Sequence, residues 1–357
     1  MALPTTTYDT STMANPVSAL TDFTLMIDLS RMSAAWWTAN GTEADGTKGR
    51  AAKDDGTELA TDWIDFNHAA ETGWVRVKWS GTLATSGTQT IRVYPPVAGN
   101  SANAVSATYG SDNAYDANWE GYWPNGGGAD RTSSDNDGTA NGGVAVGGVA
   151  GQAGKATDFD GVNDYITLAD PSLTANLTVM AWITAGASST VAEHAVSFNP
   201  GFTLGLQGSS QDMRFEVGAT GFSEAVHPTN PDGTFRHYCG TYDSSDTIAY
   251  YNSTAGTAVT DASGNIDVTG DLAIGSFAGN PVSETFAWDG IIQEVQIHSA
   301  ARHADWIKYE YDQTNDNATF LGTWEVVAAA SSALGSTNLL KSTLLSSTLL
   351  SSTLIRS

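Results

Sequence analysis

Phe159-Asp160-Gly161-Val162-Asn163-Asp164-Tyr165-Ile166-Thr167-Leu168 joins a turn signal to a strand signal. Asp-Gly followed by Asn-Asp marks a turn, because these residues tolerate left-handed backbone and accept hydrogen bonds from their own chain. Tyr165, Ile166 and Leu168 then supply the apolar bulk of an alternating strand. Downstream, Leu177–Ile183, Phe202–Leu206, Met213–Val217, Thr234–Tyr242, Thr247–Tyr251, Leu272–Gly275 and Asp289–Ile297 repeat the pattern. Gly, Asn, Asp and Ser separate them, and a helix-like stretch near 303–312 closes the series.

Working outward, composition agrees with an all-β reading. Charged residues make up only 15% of the 357, whereas short polar turn formers are abundant. Such a chain suits strands joined by turns better than helices rich in Glu, Lys and Leu. Fifteen basic against 39 acidic residues give a formal charge of −24, a field that repels nucleic acid and anionic membranes. The single Cys239 excludes an intramolecular disulfide, and its apolar surroundings predict a buried small hydrophobe. The N-terminus carries neither a basic nor an apolar leader segment, and no window of about 18 apolar residues occurs, which predicts synthesis in a cytosol and no membrane insertion.

Residues 1–20 are rich in Thr and Ser and read as an arm that needs a partner surface for order. From 21 to 108 the pattern is again β. Phe23, Leu25 and Ile27 alternate with Thr24, Met26 and Asp28, and in Trp74–Trp79 Arg76 and Lys78 alternate with Val75, Val77 and Trp79, as in a half-buried antiparallel strand. This predicts a small β-sandwich. It resembles a bacterial and viral domain of unknown function found before laminin-G-like jelly rolls, through the Asp55–Leu59 turn, the Trp74–Val77 strand and the closing Thr90–Tyr94. Residues 109–152 form an aromatic and Gly-rich junction.

Residues 153–325 fit a double-sheet jelly roll on strand spacing, and their motif order resembles the laminin-G-like, concanavalin A-like family. The resemblance rests on the Phe159–Tyr165 opening, the strand ending Trp182-Ile183, Arg236–Asp243, Leu272–Ser276 and the closing Asp289–Ile297. Tyr250-Tyr251-Asn252 departs from the Asn-Gly hairpin usual there. The fold class is therefore all-β, with two β-sandwich domains and extended N- and C-terminal arms.

Catalytic constellations are missing. The Glu-x-Asp-x-x-Glu strand of concanavalin-like glucanases does not occur, and Glu294-Val-Gln-Ile-His lacks the second and third acids. Neither Gly-x-Ser-x-Gly nor His-Glu-x-x-His is present. These gaps predict no enzyme. In the junction, Trp119, Tyr122 and Trp123 have two readings, a platform on which a sugar ring stacks or a seal between two domains. Asp160, Asp164 and Asp289 likewise either shape turns or, as the family resemblance implies, seat a Ca²⁺ ion at the sandwich rim.

Residues 326–357 lack acids and repeat leucine with a period of five at Leu339, Leu344, Leu349 and Leu354. Five matches neither helix nor strand, so the repeat reads as an assembly segment that packs against other chains. Leu/Ser-repeat tails resemble the C-termini of some phage structural proteins, and that resemblance implies capsid or other virion proteins and copies of the same chain as partners. The expectation is a non-enzymatic virion-surface protein, a capsid decoration or fibre-like protein, whose jelly roll binds host or environmental glycans. The alternative is an adhesin on an extracellular surface.

Overall fold

The computed structural model describes residues 3–4, 6–171, 173, 176–186, 192–208, 210, 212–218, 223–228, 233–260, 266, 270–279 and 286–328. Six strands come first: β1 (Tyr8–Thr12), β2 (Leu20–Asp28), β3 (Arg50–Lys53), β4 (Glu58–Asn67), β5 (Thr72–Leu83) and β6 (Thr90–Tyr94). With β23 (Glu325–Val327) they form one sheet in the order β2-β5-β4-β3-β6-β1-β23. β4 turns the corner. Its Glu58 and Leu59 pair with β3, and its later residues pair with β5. Phe23, Ile27 and Val77 from one limb and Ala51, Ile91 and Val93 from the other therefore share one core, as the layers of a sandwich do.

The N-terminal arm finds its partner surface within its own chain, because β1 adds to β6 and then accepts β23 on its outer side. Between β2 and β3 lies a short helix, α1 (Ala34–Asn40), which the sequence reading did not predict. Ser33 caps it by accepting from the Trp36 N–H, and Trp36 Nε1 donates to the Val93 carbonyl at 2.9 Å. That bond ties the helix to the sheet.

The remaining strands build two facing sheets. They are β7 (Trp119–Trp123), β8 (Thr139–Asn141), β9 (Val149–Ala150), β10 (Lys155–Asp160), β11 (Tyr165–Leu168), β12 (Leu177–Ile183), β13 (Glu193–Asn199) and β14 (Phe202–Leu206). After them come β15 (Met213–Val217), β16 (Ser223–His227), β17 (Arg236–Tyr242), β18 (Asp246–Tyr251), β19 (Thr254–Ala255), β20 (Val259–Thr260), β21 (Asp271–Ile274) and β22 (Asp289–His298). The second sheet runs β19-β18-β17-β12-β22-β10-β9, with β7 also paired to β22 and β20 to β18. The third runs β16-β15-β14-β13-β21-β11-β8. Val179, Ile183, Ile292 and Ile297 from one sheet meet Val196, Phe198, Leu204 and Phe215 from the other.

Phe159–Leu168 turns out to be the crossing between these sheets and not one strand. Asp160 pairs with Asp289 in the second sheet, whereas Ile166 pairs with Ile274 in the third. Asp160 Oδ1 makes the corner by accepting from the N–H groups of Val162, Asn163 and Asp164 at 2.9, 3.0 and 3.3 Å. Gly161, at φ +70°, takes the left-handed position that a larger residue resists. Phe159 and Ile166 then enter the same core from opposite sheets.

The Tyr251 hairpin does form: Asn252 and Ser253 sit at φ 45° and 66° between the paired Tyr251 and Thr254, as a two-residue loop with positive φ at both positions requires. Two third-sheet strands, β13 and β16, escaped the sequence pattern because polar His194, Ser197 and Glu224 interrupt their apolar runs. Finally α2 (Ala304–Asn315) and α3 (Asn317–Leu321) bridge the two halves. The rings of Trp306 and Tyr309 lie 5.3 and 5.0 Å from Phe23, and Tyr311 stacks on Trp182 at 5.6 Å.

Candidate functional site

The outer face of the second sheet is closed by a polar lock. Alternation along β5 turns Val75 and Val77 into the first core and sends Arg76 the other way, onto β22 and α2. Its guanidinium donates to Glu294 Oε2 at 2.7 Å, Glu310 Oε1 at 2.8 Å and the Tyr122 hydroxyl at 3.2 Å. Tyr122 in turn donates to the Glu294 carboxylate, while Gln296 and Gln313 donate to Glu310 at 2.8 and 2.5 Å. None of these side chains is more than 2% exposed. Glu294 stands at φ 53°, where β22 slips register against β12, and this bulge aims its carboxylate out of the sandwich toward Arg76.

Burial pushes the Glu294 carboxyl up to about 7, against the pull of Arg76 and Tyr122. Burial also works against the Arg76 charge, but Glu310, Tyr122 and Glu294 more than offset it. A second lock lies beside the first, where Asp62 accepts from Arg131 and, at 2.6 Å, from the Tyr115 hydroxyl. The polar face of the predicted half-buried β5 is thus an interface. Lys78 Nζ completes it by reaching the Tyr115 carbonyl at 3.3 Å.

This geometry decides between the two readings of the junction aromatics. Trp119 is 5% exposed, and Tyr122 and Trp123 are fully buried. Trp119 is packed among Tyr115, Tyr122, His298 and Trp306, and Trp123 Nε1 donates to the Asn136 carbonyl at 3.0 Å inside the jelly-roll core. No ring face is left for a sugar; Trp119 and Tyr122 seal the interface, and Trp123 belongs to the jelly-roll core.

The three aspartates separate in role. Asp160 caps the sheet-crossing turn through its backbone acceptances, which hold its pKa down despite burial acting the other way. Asp289 lies opposite it in register, and its own carbonyl accepts from Gly186 N at 2.5 Å. Asp164 is buried at the end of the turn, and burial followed by the Asp160 charge raises its pKa. Among the described residues, no group of three His, Cys, Asp or Glu side chains is arranged to hold a metal ion. Leu339, Leu344, Leu349 and Leu354 lie outside the described residues.

With the second sheet covered, the face left to the sandwich is the outer side of the third. Here β13 to β16 align polar residues that the sequence reading missed. Glu216 and Glu224 are direct cross-strand partners, and Arg214 sits one alternate position along the same strand. Arg214 NH1 meets Glu216 Oε1 at 2.5 Å and Glu224 Oε2 at 3.8 Å, its NH2 approaches His194 Nε2 at 3.1 Å, and Gln207 donates to Glu224 at 2.8 Å. The row is recessed, with side-chain exposures of 12% for Arg214, 13% for Glu216 and 30% for Glu224.

Burial first, and the neighbouring Glu224 after it, raise the Glu216 carboxyl to about 7 although Arg214 opposes them. Burial lowers His194 to about 3, so its ring is neutral, and the rings of Phe277 and Phe286 lie 5.3 and 5.0 Å from it. His194 Nδ1 and Arg214 Nε are buried without a hydrogen-bond partner among the described residues. The signal was present in the sequence as the Met213–Val217 alternation, but the partnership of Glu216 with Glu224 depends on register.

Comparison with known families agrees with this architecture: residues 160–308 match the Concanavalin A-like lectin/glucanases superfamily. This segment is a concanavalin A-like jelly roll. None of the curated proteins gives a significant match to the chain. Among solved structures, the chain is similar to domain 4 of AbnA, a GH43 extracellular arabinanase from Geobacillus stearothermophilus in complex with arabinotriose. That match has 18% identity and a TM-score of 0.45, over 54% of this chain and 98% of that one. The binding domain of Paraclostridial Mosquitocidal Protein 1 is similar at 12% identity and a TM-score of 0.46, over 55% and 52% of the two chains. The Botulinum neurotoxin serotype D ligand binding domain, in complex with N-Acetylneuraminic acid, is similar at 10% identity and a TM-score of 0.46, over 55% and 50%. The match thus spans about half the length of each toxin domain.

Proposed function

We propose that this protein is a non-enzymatic structural protein of a virion surface that displays its jelly roll and binds glycans on the outer face of the third sheet. The observation that carries the glycan part is the division of the jelly roll's two faces. One is sealed by the Arg76 lock, and the other keeps a recessed row of Arg214, Glu216, Glu224 and Gln207 whose donors and acceptors suit the hydroxyls of a sugar. The attachment part rests on the leucine repeat, which follows β23 in sequence. β23 pairs with β1 on the first sheet, so the repeat follows in sequence from the sheet that does not carry the polar row.

The full chain on a glycan array is expected to bind, and Arg214→Ala, with its native fold verified by circular dichroism, is expected to abolish that binding. An array without hits, or binding indifferent to Arg214→Ala, refutes the glycan reading. For attachment, Leu344→Asp with Leu349→Asp in the full chain is expected to leave the protein off assembled particles. Double-variant chains that still incorporate refute the anchor. A second reading, glycan cleavage, draws on the placement of two carboxyls, Glu216 and Glu224, as direct cross-strand partners in the recessed row. Turnover of a polysaccharide that Glu216→Gln removes would establish it in place of simple binding.

A further inference from the structure

At the tip of the β4–β5 hairpin, a groove of about 530 Å³ opens between the first sheet and the start of β10. Phe66 and Trp74 form its apolar part. Both are only partly buried, with the remainder of each ring packed on the first core. Phe66 is held by stacking on Trp37 at 5.7 Å and by an edge contact with Trp63 at 5.9 Å. Asp65, Asn67 and Lys155 supply the polar rim.

Two backbone features look purposeful. The β4–β5 register slips between Ile64 and Asn67, and Asp65 within the slip stands at φ 50°, which redirects its carboxylate into the groove; Oδ2 there is buried with no hydrogen-bond partner among the described residues. Opposite it, Gly154 at φ +79° leaves the indole edge uncovered. A Cβ at that position would sit 3.1 Å from Trp74 Nε1 and 3.8 Å from Asp65 Oδ2.

We infer that this groove is a saccharide subsite separate from the third-sheet face, taking one ring of a neutral oligosaccharide against Trp74 and Phe66. The chemistry argues for a neutral polyol over other ligands. Flat apolar rings accept the C–H face of a pyranose or furanose, while a carboxylate, an amide, an ammonium and the indole N–H offer both acceptors and donors for its hydroxyls. Lys155 Nζ lies 3.6 Å from Asp65 Oδ1, so the rim charges offset each other and neither anion nor cation is favoured. The volume lies within the range of small-molecule sites. The inference is independent of the Arg214 row, and its test keeps the two apart.

The full ¹⁵N-labelled chain is titrated with maltotriose, xylotriose, cellotriose and arabinotriose while the indole N–H resonances are followed, Trp74 being identified by its loss in Trp74→Phe. At least one trisaccharide is expected to shift that resonance saturably. Trp74→Ala is expected to weaken binding roughly tenfold, the factor supplied by about 1.4 kcal/mol of ring contact. Arg214→Ala is expected to leave this titration unchanged. Because Trp74 also touches the core, Lys155→Ala and Lys155→Gln at the exposed rim provide fold-neutral variants, each expected to weaken binding about threefold. A Trp74 resonance that no trisaccharide moves overturns the inference, as does a shift that Arg214→Ala abolishes and the rim variants leave intact.

Discussion

Arg76 is the residue on which the joint between the two halves depends, and its removal has a calculable cost. The guanidinium is wholly buried, 2.7 Å from Glu294 and 2.8 Å from Glu310. Replacing it with Met keeps most of the volume but leaves two carboxylates facing each other out of water. Breaking a buried pair by deleting one partner costs about 3–5 kcal/mol, because the surviving charge keeps its desolvation penalty without compensation. At about 2 °C per kcal/mol for a chain of this size, the melting temperature of Arg76→Met is expected to fall by about 6–10 °C.

Glu294→Gln is expected to cost less, about 1–2 kcal/mol, because Arg76 retains Glu310 and the amide still accepts hydrogen bonds. In Arg76→Met with Glu294→Gln, one of the orphaned charges is gone, so the double variant is expected to be more stable than the sum of the singles by at least about 1 kcal/mol. Calorimetry or chemical denaturation of all four proteins completes the cycle. A cost below about 1 kcal/mol for Arg76→Met, or singles that add to within about 0.5 kcal/mol, refutes the claim that this network closes the interface.

Glu294 also makes stability depend on pH. Its carboxyl is raised to about 7 in the folded chain against about 4.3 when unfolded. Between those values the folded state holds the extra proton, so this group's contribution is greatest below pH 4 and falls as pH rises through 7. Buried His194, His237 and His298, with lowered pKa values, act in the opposite sense as pH falls below about 6.5. The difference between wild type and Glu294→Gln therefore isolates the carboxyl, and it is expected to move against wild type from pH 4 to 8; a flat difference refutes the shift. Chelation by EDTA is expected to leave the melting temperature unchanged, whereas Asp160→Ala is expected to cost about 1 kcal/mol by stranding three backbone donors. A calcium-reversible fall in EDTA would instead assign the Asp160 rim a metal.

Much of the architecture was legible because it is written in local periodicity. Alternating apolar residues and Gly/Asn/Asp turns announced β12, β14, β15 and β22 to within a residue, and the motif order around them marked the jelly roll before any coordinates. The buried Cys239 was equally plain from its apolar neighbours. Periodicity also showed that Arg76 projects from β5 opposite Val75 and Val77. It could not show what lies opposite that face, because a polar row facing solvent and a polar row facing another domain look alike along the chain.

Deciding that took contacts between residues far apart in sequence. Arg76 meets Glu294 across 218 positions and Glu310 across 234, and no window of sequence holds those partners together. The same holds for Trp119, Tyr122 and Trp123, whose aromatic character fits a sugar platform or a sealed joint until burial puts the first two in the joint and Trp123 in the jelly-roll core. Phe159–Leu168 shows the division most clearly. Its residues dictate a tight turn between two apolar steps, through Asp160 and Gly161. Only the pairing of Asp160 with Asp289 and of Ile166 with Ile274 makes that turn the bridge between two sheets, since strand partners are selected by the packing of the whole core.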